Sequence, residues 1–263
     1  MKVDIHSHIL HGIDDGPETL EQTMAFCTKL KQQGIEKIIA TPHFISGDTY
    51  MPAAEEIREK VKLLQKEIDK KKIGLKVFPG MEVFASHDTI ERIRKNEILS
   101  LNDSKYILIE FPLKAVPRYA SDLLFAMQLE GYIPIIAHPE RYCSDYRKNG
   151  FLTQLVDKGA LLQINSGSLA GAHGKKAKKA AEQLLRAGMV HLVASDAHGE
   201  HRMPSDKWEI EKKISQICGV ENTERIMQIN PQKVLKNEEV FAMCTVRKRL
   251  IVTGFLRKLR LNL

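Results

Sequence analysis

The chain contains no apolar run approaching the ~20 residues needed to cross a bilayer as a helix, which excludes a helical membrane protein. Cysteine is scarce: Cys27, Cys143, Cys218 and Cys244 are the only four. None pairs as C-x-x-C, so zinc-knuckle and dithiol motifs are excluded. None is followed by arginine at the C-x5-R spacing of cysteine-dependent phosphatases. Reduced thiols of a cytosolic protein are the expectation. No stretch is rich enough in proline, glycine or serine to mark a linker between domains. Acidic residues are missing from Thr245 to Leu263, where Arg247, Lys248, Arg249, Arg257, Lys258 and Arg260 stand alone. The formal charge is +7, and without those six the body is near neutral. The high pI therefore reports a basic tail. With no basic stripe interleaved with aromatics, a nucleic-acid partner is not expected.

What is present is a regular alternation of helix and strand. A length of 263 residues, with 43% hydrophobic and 28% charged residues, suits one large core. The predicted helices are Glu18–Gln33, Ala53–Lys72, Pro117–Glu130, Phe151–Lys158 and Lys175–Ala187, the first opening with Pro17 at its first helical position. A unit recurs in which a helix ends at glycine and an apolar strand follows at once: Gly34 then IEKIIA, Gly131 then YIPIIA, Gly159 then ALLQIN, Gly188 then MVHLVA. Such continuous apolar strands are those of a parallel sheet covered by helices. Seven are counted, which predicts an α/β fold, a distorted seven-stranded, TIM-like (β/α)7 barrel. An open doubly wound sheet is the alternative, and it gathers strand ends around one point less readily. From Ser205 onward the pattern is helical. The expected organisation is one metal-hydrolase domain over 1–244 and a basic tail over 245–263.

The chemistry sits at the strand ends. The first strand ends in His6-Ser7-His8, the second at His43, the third at Glu82, the fourth at Glu110, the fifth at His138, and the last at Asp196 with His198 two residues on. In α/β barrels these ends converge on one mouth. Nitrogen and carboxylate donors from six strands, with no thiolate among them, read as a multi-metal hydrolytic site. His6 and His8 at i, i+2 share a strand face, as do Asp196 and His198. A carboxylate at Glu82 can bridge two ions. Glu110 after the apolar YILI would be costly in a core unless paired or metal-bound. Of Asp14 and Asp15, one is expected to reach a metal, and Asp15 is favoured. Either is also an ordinary acid before a helix. Arg141 and Arg202, just past His138 and His198, have forks suited to a phosphoryl group, or to a surface ion pair. His11, His87, His173 and His201 carry no such context, and His191 opens its strand at the opposite end.

The ordered set DIHSHIL, DDG, TPH, GME, IEF, AHPER and SDAH resembles the polymerase and histidinol phosphatase (PHP) superfamily. Within it, the chain is most similar to the bacterial tyrosine-protein phosphatases encoded with capsule and exopolysaccharide genes. The resemblance covers about residues 1–240. It implies a distorted barrel with three divalent ions, most often Mn2+, although iron, zinc, cobalt or magnesium suit the same donors. It implies that His6, His8, Glu82 and Asp196 hold one ion, that Glu82, Glu110 and His138 hold a second, and that Asp15, His43 and His198 hold the third. Arg141 and Arg202 match arginines that bind phosphate. The implied partner is a membrane-associated bacterial tyrosine kinase with a tyrosine-rich tail. The last ~20 residues match nothing in the family. Phe255, Leu256, Leu259 and Leu263 fall near one helical face among basic residues, a pattern for contact with anionic lipid, though Gly254 weakens the helix.

The expected reaction is hydrolysis of a phosphomonoester by metal-activated water, in line and without a phosphoenzyme. A tyrosinate, with a pKa of ~10, leaves more readily than an alkoxide. The competing readings are a histidinol-phosphate or other small-molecule phosphatase, an exonuclease, and a non-catalytic scaffold for the kinase. Because the candidate donors begin at His6, a cleaved leader would remove them, and a cytoplasmic location is expected.

Overall fold

The computed structural model describes residues 2–113, 116–142, 150–199 and 206–244. Arg202, His201, Cys143 and the basic tail over 245–263 lie outside the described residues. The elements run β1 (Val3–Ser7), α1 (Leu20–Gln32), β2 (Lys37–Ala40), β3 (His43–Phe44), α2 (Ala54–Lys70), β4 (Lys76–Pro79), β5 (Glu82–Phe84), α3 (Thr89–Arg94), β6 (Tyr106–Glu110), α4 (Ala120–Leu129), β7 (Ile133–Ala137), α5 (Phe151–Asp157), β8 (Leu161–Asn165), α6 (Ser166–Ala170), α7 (Gly174–Arg186) and β9 (Leu192–Ala194). Helix α8 (Lys207–Cys218) follows, and then α9 (Val220–Glu224), which passes through a π-helical turn at Arg225–Ile229 into α10 (Asn230–Leu235).

Every strand pairing is parallel. One sheet has the order β1-β2-β4, and the other β3-β5-β6-β7-β8-β9. This α/β architecture departs from the expected seven strands, since nine lie in two sheets. Two predicted strands are each broken once. Pro42 has no N–H to donate, and it separates β2 from β3. At Gly80, between β4 and β5, an added Cβ would sit 2.9 Å from an Ile39 methyl and 3.0 Å from a Leu101 methyl, so a larger residue would have to displace those buried side chains. His43 and Glu82 accordingly open the short strands β3 and β5 instead of following longer ones. The outer edges of the two sheets meet where Ser7 bridges Ala197, where the His8 N–H donates to the Ala197 carbonyl at 2.9 Å, and where the Asp196 N–H donates to the His6 carbonyl at 3.0 Å.

Both faces of the strands are buried. One face, with Ile38, Ile107, Ile109, Ile136, Leu162, Ile164 and Val193, packs under the helices. On α2 the residues turned inward are Ile57, Val61, Leu64 and Ile68, as their helical spacing predicts. The other face collects Val3, Ile5, Ile39, Tyr106, Leu108, Ile135, Leu192 and Ala194, closed by Val234 and Leu235 of α10. Side chains alternate along a strand, so residues two further on share that face. There Leu108 gives way to Glu110, Leu161 to Gln163 and Asn165, and Ala194 to Asp196. The interior is thus apolar at one end and polar at the other.

Helix starts differ from expectation at α1. Its N-cap is Thr19, closed as a capping box with Gln22, and Pro17 lies before the helix. The reciprocal side-chain bonds satisfy donors that Pro17 alone would leave open. Gly34, Gly131, Gly159 and Gly188 take left-handed φ of 80°, 85°, 92° and 73°, closing their helices as the repeated unit predicts. Helices α3 and α6 are too short to show a period in the sequence.

Candidate metal centre

The polar end of the interior draws its histidines and carboxylates from β1, β3, β5, β6, β7 and β9, with Asp15 added from the loop before α1. His6 and His8 come from the end of β1, beyond Asp4, where β1 shifts register against β2. Glu82 reaches across to them: its Oε2 lies 3.2 Å from His6 Nε2 and 3.3 Å from His8 Nε2. Asp196 Oδ1 lies 3.3 Å from His6 Nε2 and 3.5 Å from His8 Nε2, and the two imidazole nitrogens are 3.4 Å apart. These spacings match the edge of a tetrahedron, ~3.4 Å, around an ion with bonds of ~2.1 Å. One donor atom from each of these four residues lies within 4.8 Å of the others. Glu82 Oε2 is buried without an aligned hydrogen bond among the described residues, although His43 Nδ1 also stands 3.1 Å away. A carboxylate oxygen ringed by imidazole nitrogens and aligned with none is a fit for a cation.

Two further groups adjoin this one. His138 Nε2 lies 2.9 Å from Glu82 Oε1 and 3.7 Å from Glu110 Oε1, and His43, Glu82 and Glu110 also gather within 4.8 Å. On the other side, Asp15 Oδ1 lies 3.2 Å from His198 Nε2 and 3.7 Å from His43 Nε2. His198 stacks on His8 with ring centroids 3.8 Å apart. Every histidine and carboxylate named from the strand ends is therefore in one place, with His43 reaching both flanking groups. Arg141 stands beside them, its guanidinium 3.4 Å from Asp196 Oδ2. Among the residues set aside, His11 lies in a turn beside Lys60 and Glu21, whereas His173, in the turn before α7, is close enough to Arg141, Asp196, His138 and His198 to feel their charges. His191 is buried at the far end of β9.

Asp14 and Asp15 separate by geometry. Asp14 turns behind His8, accepting its Nδ1–H at 2.6 Å, the His43 backbone N–H at 3.0 Å and the Gly16 N–H at 3.0 Å. Asp15 faces the donor groups. Both His138 and Asp196 adopt left-handed backbone, with φ of 32° and 54°. Such strain costs on the order of 1–3 kcal/mol per residue and is held only where surrounding contacts enforce it.

The electrostatics are those of a cation site. Burial alone would push the Glu82 carboxyl up, but His6, His138 and His43 outweigh it and hold the group well below the usual carboxylate range. Burial disfavours a charged His6, yet Glu82 and Asp196 raise it to about 9. His8 is raised likewise against its burial, chiefly by Asp14. Glu110 moves the other way: burial and the Glu82 charge both push it up. Protonated imidazoles here supply the positive charge that divalent ions would supply, so metal uptake must displace protons.

Sequence reasoning did not mark Gln163, Asn165 or Glu140. All three are buried. His6 Nδ1 lies 2.9 Å from Gln163 Oε1, Gln163 Nε2 donates to Asn165 Oδ1 at 2.8 Å, and Asn165 Nδ2 donates to Asp196 Oδ2 at 2.6 Å. Glu140 Oε1 accepts the Asn165 backbone N–H at 2.9 Å. Two polar residues at i, i+2 within the otherwise apolar LLQIN were the available signal.

A family model described as "Capsular polysaccharide synthesis, CpsB/CapC" matches residues 2–236. The chain belongs to that family. It is 40% identical over 239 residues to the tyrosine-protein phosphatase YwqE of Bacillus subtilis, covering 91% of this chain and 93% of that one. It is 32% identical to the tyrosine-protein phosphatase CpsB of Streptococcus pneumoniae, covering 90% of this chain and 99% of that one. The crystal structure of YwqE, described with that CpsB as unique metal-dependent tyrosine phosphatases, superposes with a TM-score of 0.86 over 91% of this chain and 96% of its own. Histidinol phosphate phosphatase of Lactococcus lactis superposes with a TM-score of 0.53 at 16% identity, covering 84% of this chain and 93% of that one, a likeness of fold.

Proposed function

We propose that the protein is a metal-dependent protein-tyrosine phosphatase. In this reading it hydrolyses phosphotyrosine on a bacterial tyrosine kinase, or on that kinase's substrates, and so regulates capsular or exopolysaccharide synthesis. The observation that carries it is the ring of imidazole nitrogens and Asp196 around Glu82, spaced for cations, in a chain 40% identical to YwqE. His6, His8, Glu82 and Asp196 would hold one ion, Glu82, Glu110 and His138 a second, and Asp15, His43 and His198 a third, with Mn2+ the first choice. Bound divalent ions would supply activation of water at neutral pH and charge stabilisation on phosphoryl oxygens.

The chain's own residues do the rest. Glu82 offers one oxygen to each of two neighbouring groups, which holds them side by side. Arg141, tied to Asp196 through one nitrogen, keeps its other N–H groups for phosphoryl oxygens. Arg202 is proposed for the same task. A phenolate with a pKa of ~10 needs little help to leave, which favours phosphotyrosine over phosphoserine.

Two structural readings accompany this. The nine strands act as seven barrel staves, with β2 continuing into β3 and β4 into β5. The meeting of β1 with β9 at Ser7 and Ala197 supports it. Residues 1–244 form one hydrolase domain, and 245–263 a basic tail that touches anionic lipid near a membrane-bound kinase. No described helix is long and apolar enough to cross a membrane, in keeping with a proposed cytoplasmic location.

Phosphate release from a phosphotyrosine peptide, with Mn2+ and with chelator, tests the activity, and histidinol phosphate runs alongside. Mn2+-dependent release from the peptide and little from histidinol phosphate is expected. The reverse preference would move the function to small-molecule metabolism.

A further inference from the structure

Strand β8 brings neither imidazole nor carboxylate to the donor groups, yet its two polar side chains, Gln163 and Asn165, are both 0% exposed. Burying a primary amide is costly unless it is hydrogen-bonded. Here both amides are bonded, and the bonds form one chain from Asp196 to His6.

The direction of that chain follows from one end. An ionised Asp196 can only accept, so Asn165 presents its NH2 to Asp196 Oδ2 and its oxygen to Gln163. Gln163 must then present its NH2 to Asn165 and its oxygen to His6. His6 Nδ1 is left as the donor, so the proton that a metal displaces is the one on Nε2, and the lone pair then freed faces the group shared with Glu82 and Asp196. The same chain occupies Asp196 Oδ2, so Oδ1 alone enters the donor group. Glu140 fixes the backbone at the middle of the chain by accepting the Asn165 N–H.

We infer that Gln163 and Asn165 are positioning residues that set the tautomer of His6 and limit Asp196 to one donor oxygen, and that they thereby tune metal affinity. This rests on the metal-centre reading above. It differs from the direct carboxylate support of His8 by Asp14, because neutral amides couple two donors from different strands through two intermediates.

The test is Mn2+ titration of the metal-stripped full chain by calorimetry, with urea unfolding of each metal-stripped protein alongside. Asn165→Ala removes a donor and is expected to weaken Mn2+ binding by ~10-fold. Asn165→Asp keeps the shape but sets a carboxylate against Asp196, and is expected to weaken it by ~100-fold. Gln163→Leu is expected to fall within the same ~10–100-fold range reported for outer partners of metal ligands. A packing role would reverse the Asn165 order, since the isosteric Asp preserves volume and Ala does not. Affinities that follow that reversed order, or that stay at the unmodified value in all three variants, overturn the inference. A loss of affinity matched by an equal loss of metal-free stability in every variant also overturns it. If the unmodified protein takes up no Mn2+, the metal-centre reading itself fails. Normal uptake with unaffected variants removes only the role of the amide chain.

Discussion

His6 and His191 belong to β1 and the start of β9, two segments whose strands meet at Ser7 and Ala197, and both are buried. Burial disfavours the charged imidazole in each. Beside His6 stand Glu82 and Asp196, and they raise it to about 9. Among the described residues no carboxylate plays that part at His191; burial dominates and lowers it to about 4. The two histidines lie at opposite ends of the strands. At one end the chain gathers charge that needs a cation. At the other, with Val3, Leu108, Ile135 and Leu192, it removes charge and packs. Changes at the first end should alter chemistry and leave the fold, and changes at the second should do the reverse.

The sharpest break of that contrast is Glu82→Gln. It keeps volume but replaces a carboxylate whose oxygens stand within 3.3 Å of His6, His8, His43 and His138. A loss of more than about 10³-fold in kcat/KM on a phosphotyrosine peptide is expected, equivalent to ~4 kcal/mol. Metal content measured on the same samples should fall with it, and retention of full activity would remove Glu82 from the proposed centre. At the packed end, Ile135→Ala should cost about 2–5 kcal/mol of unfolding free energy in urea. Its kcat/KM, measured on the folded enzyme, should stay within a few-fold of the unmodified value. A large activity loss there without a stability loss would mean that the two ends are not separable.

The gathering of the candidate donors was legible in the sequence because nearly all of them follow or open an apolar strand, as His138 does after IPIIA, whereas Asp15, in the loop before α1, was legible only as one of two acids. The division into helices and strands was legible for the same reason of period and of terminal glycine. What was hidden depends on side-chain direction across strands. Gln163 and Asn165 look like ordinary polar residues until Asp196, 31 residues beyond Asn165, is seen to accept from it. Breaks at Pro42 and Gly80 turn long predicted strands into pairs, and only the contact of Gly80 with Ile39 and Leu101 explains the second.

His191 gives a pH test of the packed end. Its Nδ1 accepts the Leu162 N–H at 3.1 Å, so protonation would set donor against donor. Its folded value of about 4 lies below the unfolded 6.5. Between these the unfolded chain binds more protons, so this contribution is complete above pH 6.5 and is lost as pH falls toward 4. The loss is about 3 kcal/mol at most. In His191→Asn the amide oxygen can still accept from Leu162 without titrating. From pH 7.5 to about 4.5 the unfolding free energy of the unmodified protein should fall relative to that of His191→Asn. Parallel curves would show that His191 does not carry this dependence.

The smallest expected effects separate two neighbours. Asp14 is enclosed behind His8 and accepts three N–H groups, whereas the Asp15 carboxylate is 35% exposed and faces His198. An asparagine at 14 has one acceptor oxygen for three donors, and its NH2 must oppose one of them. Asp14→Asn should therefore weaken Mn2+ binding by ~10–100-fold, or about 1.4–2.7 kcal/mol, without changing how many ions bind at saturation. Asp15→Asn removes a donor from the group with His43 and His198, so the saturating metal-to-protein ratio should drop while the tighter ions stay. Titration with metal analysis at saturation reads both quantities. A lowered ratio in Asp14→Asn with an unchanged one in Asp15→Asn would exchange their roles, and the donor would then have to approach from behind His8, where the carboxylate of Asp14 already holds the ring at 2.6 Å.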